Sequence, residues 1–368
     1  VKILHYLAAT GWGGAERVAC TIHRLAREHG HESSVEGPAL PEVVEGHRQQ
    51  TGESLPCAVS EVTWWRSTRG ARQRRKALKP DLVHVHLATP GLGSVGALIA
   101  GRTPAVFTFH LLPQAERWSE DYLLHASSKK VLSFILQSKR QRALVAVSSA
   151  DRARLSQIFL GETIELAVNA PPFAPLAAAF PAGLTWPEAN VRLLSVGRLN
   201  QQKGFDQLVS ALSDPRLRDL SWHWTIIGEG EERARLETQI QAHSISNKVT
   251  LAGAQAAHAA FADADLVLCP SRFEGMPLVP MEALLSGTPV VLSRIPAHLE
   301  LLPGVESSFL PEAPTNWPDK LLSLLVSRTE RNDLKHAQAP FRTNDPRERL
   351  WQDYAGIYER VLAKVNSK

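Results

Sequence analysis

Cysteine is nearly absent from this 368-residue chain, which has only Cys20, Cys57 and Cys269. An odd count without metal-ligand spacing excludes a disulfide scaffold and a cysteine-built zinc site, and it points to a reducing, cytoplasmic setting. Cys269, inside an apolar run, reads as a small core residue. Long hydrophobic stretches are missing too, since no apolar run reaches the length of a membrane span. The chain opens on strand-like residues, so no export leader is expected. Compositional extremes are also missing: a hydrophobic fraction of 44% and a charged fraction of 21% exclude a disordered chain. Acid is missing locally. Val62 to Lys79 holds no Asp or Glu, while Arg66, Arg69, Arg72, Arg74, Arg75, Lys76 and Lys79 gather there beside Trp64 and Trp65.

This asymmetry extends along the chain. Residues 1–190 hold 21 Lys+Arg against 16 Asp+Glu, whereas residues 191–368 hold 20 against 21. A basic first half predicts an anionic partner on that side. Tryptophans beside a cationic helix suit peripheral attachment to an anionic membrane, here the cytoplasmic face of an inner membrane, or contact with another anionic glycolipid acceptor. A second basic stretch, Lys129-Lys130 to Lys139-Arg140-Arg142, brackets apolar residues in the same manner. None of these cations lies in a recognisable RNA or DNA module, so nucleic acid is not an expected partner.

What the chain does have is a repeated alternation. Lys2–Leu7, Asp81–His86, Ala105–Phe109 and Leu144–Ser149 are short apolar runs separated by helical stretches, one of them Ala15–Glu28, closed near Gly30. The pattern lapses over the Pro- and Ala-rich stretch Asn169–Asn190. It restarts with Val191–Val196, Trp224–Gly228, Val249–Leu251, Leu266–Leu268 and Pro289–Leu292. Fully buried strands alternating with helices predict parallel sheets covered on both faces. The expected layout is two doubly wound α/β domains, 1–168 and 191–344, joined by a linker at 169–190. Ligands would bind at the carboxyl ends of the strands, in the cleft between the domains. In the last helix, about 345–368, Trp351, Tyr354, Ile357 and Tyr358 fall at helical spacing and read as core.

Three segments carry chemistry. Glu274 lies on a loop between a buried strand and a helix, and Glu282 lies one to two turns inside that helix, before Gly287 and another strand. A carboxylate at a helix mouth can accept hydrogen bonds from a polyol, while the helix dipole favours an anion at the same end. A sugar joined to a diphosphate needs both. In Gly197-Arg198-Leu199-Asn200-Gln201-Gln202-Lys203-Gly204, two cations five residues apart follow a strand. Arg198 can fork two phosphate oxygens, and Lys203 supplies a compact charge. Gly13-Gly14-Ala15-Glu16-Arg17 marks the first strand-to-helix turn but lacks the spaced three-glycine dinucleotide fingerprint, which weakens a dehydrogenase reading. His110 ends the run Val106–Phe109 at the rim of the first sheet. The orientation of His84 and His86 stays open, with one of them pointing into the layer beneath the helices. Asp263-Ala264-Asp265 has the spacing of a metal motif. It precedes its strand, away from the ligand end, and no histidine cluster accompanies it, so no metal is expected.

The segment around Glu274 and Glu282 closely resembles the paired-glutamate motif of the family-4 retaining glycosyltransferases, enzymes of GT-B architecture. Gly197–Gly204 resembles that family's phosphate-clamping loop, and Gly13–Arg17 its N-terminal glycine loop. The resemblance covers nearly the whole chain, more loosely before residue 190. It departs at Asn169-Ala170-Pro171-Pro172 and at Arg294–Glu300, which lacks the usual glycine pair. It implies metal-independent transfer of a hexose from a nucleotide diphosphate sugar, UDP preferred, to a glycan or glycolipid hydroxyl. It also implies a final helix that crosses back to the first domain. Glu282 would bind ribose hydroxyls, Glu274 the sugar hydroxyls, and Arg198, Lys203 and Gly14 the diphosphate. Gly275, Met276, Pro277 and Leu278 would line the donor, His110 would touch its sugar, and Glu16 and Arg17 would meet the acceptor. A nucleotide-sugar hydrolase or epimerase of the same architecture, a nucleic-acid-binding protein and an inactive subunit are the rival readings.

Overall fold

The computed structural model describes residues 1–7, 12–37, 41–53, 72–87, 100–112, 141–172, 191–343 and 345–366. Two compact units emerge. The first comprises Val1–Pro172 together with Pro346–Lys368, and the second Phe173–Asp345.

The first unit is built on strands β1 Lys2–Leu7, β2 Glu32–Glu36, β3 Leu82–Leu87, β4 Ala105–Phe109, β5 Arg142–Ala146 and β6 Ile164–Leu166. They pair in parallel in the order β2-β1-β3-β4-β5-β6. Two of them, β2 and β6, went unread in the sequence. Both lie at an edge, and the sequences Glu-Ser-Ser-Val-Glu and Ile-Glu-Leu offer no apolar run. The two faces of this sheet differ in kind. Leu4, Tyr6, Val83, Val85, Phe107, Phe109 and Leu144 share one face and pack with Leu155 and Phe159 into an apolar core. The other face carries His5, His84, His86 and Thr108, all buried. Strand period places His84 and His86 on the same face, so both point under helices rather than one of them. Tyr354 and Tyr358 of the 21-residue helix Pro346–Asn366 close over this polar face. These two tyrosines are buried, as the helical spacing predicts, yet their hydroxyls serve the sheet.

The second unit holds β7 Val191–Val196, β8 Trp222–Ile227, β9 Val249–Leu251, β10 Leu266–Cys269 and β11 Val290–Leu292. Their order is β11-β10-β7-β8-β9, again all parallel. Val191, Leu193, Trp222, Trp224, Ile226, Leu266 and Leu268 pack with Phe205, Leu208, Leu236 and Leu321 from the covering helices. The chain moves outward in one direction through β8 and β9, then returns past β7 to β10. The topological switch point therefore lies between β7 and β10, where ligands collect at the carboxyl ends of strands in open α/β sheets.

Candidate functional site

The loops that follow β7 and β10 meet at this switch point. After Val196 the chain turns at Gly197, and Asn200 caps the short turn Gln201–Lys203 by accepting from the Lys203 N–H at 3.2 Å. Gly204 follows with φ of 68°, and a Cβ there would stand 2.2 Å from the Pro270 carbonyl oxygen. Only glycine lets this loop press against the end of β10. Arg272 clamps the two loops from outside, donating to both Asp206 carboxylate oxygens and to the Gln201 carbonyl, each at 2.7 Å.

That frame brings Lys203 onto Glu274. The Lys203 ammonium donates to Glu274 Oε1 at 2.6 Å, Ser271 Oγ donates to the same oxygen at 2.7 Å, and Gln202 Nε2 donates to Oε2 at 3.1 Å. The Glu274 side chain is 8% exposed. A dehydrated ion pair needs such additional hydrogen bonds to offset its lost hydration. Gly197 leaves room for the Lys203 stem, since a Cβ at that position would sit 3.2–3.4 Å from its methylenes. Sequence reasoning gave Lys203 and Glu274 separate ligand contacts, whereas here they hold each other. Gln202 and Ser271 were missed, although each lies within three residues of a motif position. A polar side chain between two glycine-framed cations was the available signal.

Val196, Lys203, Phe205, Cys269, Ser271, Glu274, Pro277 and His298 line a small pocket at this point. Burial raises the Cys269 thiol to about 12, which keeps it protonated and inert as a nucleophile. Pro277 precedes the helix Leu278–Leu285 as its N-cap. Gly275, Met276 and Leu278 are buried around it. Glu282 lies in the second turn of that helix, 1% exposed, and is not among the pocket-lining residues. Arg198 is exposed, and its side chain has no hydrogen-bond or ion-pair partner among the described residues. At the opposite end of β10, Asp265 accepts from the Arg192 backbone N–H at 2.8 Å and ties β7 to β10 there.

In the first unit, Gly13 precedes the helix Gly14–Glu28, and the buried Glu16 carboxylate accepts from the Gly13 N–H at 2.9 Å. Glu16 thus closes its own helix, a job the sequence reading did not give it. Gly14 is exposed at the helix start and Arg17 is half-buried.

His110 is the end of a histidine chain that sheet register creates and sequence reasoning discounted. His5 Nδ1 lies 3.0 Å from His86 Nε2, and His86 Nδ1 lies 3.0 Å from His110 Nε2. His84 uses both nitrogens on hydroxyls, 2.7 Å from Tyr358 and 2.8 Å from Thr108, which in turn bonds Tyr354 at 2.9 Å. Each ring-to-ring bond needs one N–H and one bare nitrogen, which neutral imidazoles supply. Burial agrees, lowering His5, His84 and His86 well below the usual range and His110 to about 3. Nitrogens of His5, His84 and His86 lie within 4.8 Å of one another. Of the two nitrogens of each, only His5 Nε2 lacks a hydrogen-bond partner among the described residues.

The basic stretches look different once folded. Arg74 pairs with the buried Glu36, Arg75 donates to Thr103 at 2.9 Å, and Arg142 pairs with Glu162. These three serve the fold, and Arg72, Lys76 and Lys79 remain exposed. Trp64, Trp65, Arg66, Arg69, the stretch from Lys129 to Arg140, and Cys57 lie outside the described residues. No helix among the described residues is long and apolar enough to cross a membrane.

Comparison with known proteins agrees in both units. Residues 12–166 match the family model described as Glycosyltransferase Family 4, and residues 178–339 match that of the group 1 glycosyl transferases. The D-inositol 3-phosphate glycosyltransferase of an Arthrobacter strain is 27% identical over 79% of this chain and 72% of its own length. A glycosyltransferase of Haemophilus influenzae is 32% identical over 38% of this chain and 41% of its own length. The crystal structure of Anabaena HepE with UDP and glucose superposes with a TM-score of 0.76 at 20% identity, covering 97% of this chain and 99% of that one. The fold of this chain, with its two parallel-sheet α/β units, is that of the GT-B glycosyltransferases.

Proposed function

The chain belongs to glycosyltransferase family 4, and from that premise we propose that it transfers a hexose from a nucleotide diphosphate sugar to a hydroxyl of a glycan or glycolipid, with retention of configuration. A UDP-sugar is the preferred donor and cell-surface polysaccharide or lipopolysaccharide the preferred product class. The observation that carries this reading is the Lys203–Glu274 pair at the β7/β10 switch point. A cation and a carboxylate side by side offer one partner for a phosphate oxygen and one for sugar hydroxyls. HepE, the Anabaena protein of the same fold, has been crystallised with UDP and glucose.

The bond between the anomeric carbon and the diphosphate oxygen breaks, and the acceptor oxygen attacks from the same face. The acceptor proton passes to the departing diphosphate, so no protein nucleophile is needed. Lys203 and the exposed Arg198 meet the charge that develops on the leaving group, in a place where it costs little reorganisation. As Lys203 turns to phosphate, Glu274 keeps Ser271 and Gln202 as partners and offers its remaining lone pairs to the sugar. Glu282 takes the ribose hydroxyls. His110, whose Nδ1 has no partner among the described residues at the end of the histidine chain, meets the donor sugar, and Gly14 the diphosphate. Glu16 and Arg17 face the acceptor, Glu16 through the helix start that it stabilises. This chemistry needs no metal.

The test is a panel of nucleotide sugars, UDP-glucose and GDP-mannose among them, with nucleoside diphosphate release measured with and without glycan acceptors. Acceptor-dependent release and a product of unchanged anomeric configuration are expected. Release that ignores acceptors would make the protein a hydrolase, and an inverted product would refute the front-face route.

A further inference from the structure

One wall of the pocket at the β7/β10 switch point is left unused by these roles. His298 belongs to the short helix Pro296–Leu301 that follows β11, within the segment that lacks the family's glycine pair. Its side chain is completely buried and it lines the same pocket as Lys203, Glu274 and Ser271. The atoms around it settle which nitrogen carries hydrogen. Nδ1 lies 2.9 Å from the Ser293 carbonyl oxygen, which can only accept, so Nδ1 bears the proton. Ser293 Oγ lies 3.2 Å from the same nitrogen and gives its own hydrogen to the Ser271 carbonyl. Burial holds the imidazole down to about 4, so the ring is neutral at physiological pH. Nε2 is therefore a bare lone pair. It has no hydrogen-bond partner among the described residues.

A buried acceptor without a donor is a poor arrangement for the empty protein and a useful one for a ligand that brings an O–H. The chemistry also says which part of a nucleotide sugar can supply it. Diphosphate oxygens are ionised acceptors at neutral pH and would repel this lone pair, whereas sugar hydroxyls can donate. Resting on the donor-site reading above, we propose that His298 Nε2 accepts a hydrogen bond from a donor-sugar hydroxyl beside the one held by Glu274, making His298 a determinant of donor-sugar specificity. The bond from Ser293 to the Ser271 carbonyl ties the imidazole to the loop that presents Glu274, so both acceptors are positioned as one unit.

The clean perturbation is His298→Asn, whose amide can still donate to the Ser293 carbonyl but has nothing at the Nε2 position. His298→Gln places an acceptor near that position and should restore part of the loss. Calorimetric binding would be measured for UDP-glucose and GDP-mannose, each against its own nucleoside diphosphate. With whichever sugar nucleotide the wild type prefers, His298→Asn should bind about tenfold to a hundredfold more weakly, as a site built around a hydroxyl does when the hydrogen bond is lost. Binding of UDP or GDP alone should stay unchanged. Equal weakening of nucleotide and nucleotide sugar, or no weakening of either, would overturn the proposal. Nitrogen NMR of the wild type guards against a variant that misfolds: the Nε2 resonance should move with the nucleotide sugar and stay still with the diphosphate, and the reverse would refute it. A wild type that binds nucleoside diphosphate but no sugar nucleotide more tightly also overturns it. No binding of either class would instead sink the donor-site reading and this inference with it.

Discussion

Lowering the pH from 7.5 to 5.5 should destabilise the first unit far more than the second. His5, His84, His86 and His110 are buried there with folded-state pKa values held well under 6.5 by desolvation. In the unfolded chain each titrates near the ordinary value of about 6.5. Stability from these groups is therefore fully present above that value. It is lost as pH falls below about 6.5, because the unfolded chain takes up protons that the folded sheet refuses. Over these two pH units one such histidine loses a little over ~1 kcal/mol, and four together set a ceiling of roughly 5 kcal/mol. That is a large share of the roughly 5–15 kcal/mol that holds an ordinary domain together. His23, lowered to about 4, and His47 act in the same direction. Among the described residues of the second unit with a shifted histidine, His298 alone is as deeply buried, with His223 shifted less. Hydrogen exchange at both pH values, corrected for intrinsic rates, can read β1, β3 and β4 separately from β7, β8 and β10. The first set should lose protection steeply and the second by about the share of one or two histidines. Equal losses in both units, or a flat response in the first, would refute the neutral, buried histidine chain.

Arg198→Ala should cut donor binding or turnover by about tenfold to a hundredfold, the worth of a charge-assisted hydrogen bond at about 1.5–3 kcal/mol. It should leave the unfolding midpoint unchanged, since the side chain is exposed and has no partner among the described residues; normal kinetics would remove it from the donor site. Glu282→Gln, chosen to avoid opening a cavity at a fully buried position, should weaken nucleotide binding by a similar factor, and an effect confined to the acceptor KM would contradict the ribose role. Turnover should survive chelation, because Lys203 and Arg198 already supply positive charge for the leaving group; loss with EDTA and rescue by Mg²⁺ or Mn²⁺ would disprove metal independence. Vesicles containing anionic lipid should sediment the protein in a salt-sensitive manner that weakens with Arg72→Ser/Lys76→Ser, each cation near the surface contributing about 1 kcal/mol. Equal binding to neutral vesicles would point away from an anionic surface.

The sequence alone determined the strands that are buried on both sides, since Lys2–Leu7, Ala105–Phe109 and Val191–Val196 are apolar runs that no other parallel-sheet position tolerates so well. It also marked the loops around Lys203 and Glu274, whose glycines and charges have no purpose in a core. It could not reveal β2 or β6, because edge strands bury little and carry Glu and Ser as readily as Val. Nor could it show that Lys203 and Glu274, 71 residues apart, share a hydrogen bond, or that Arg74 and Arg75 are spent on Glu36 and Thr103. Those contacts depend on strand order, which decides where loops from distant segments converge. The histidines make the same case. His5, His86 and His110 are spread over 105 positions and are ordinary one at a time. Parallel register puts them on one face of neighbouring strands, where burial strips their charge and leaves each ring only another ring or a hydroxyl to bond. His298 acquires its meaning in the same way, from a carbonyl five residues back that fixes its tautomer and pocket walls contributed by the two loops after β7 and β10.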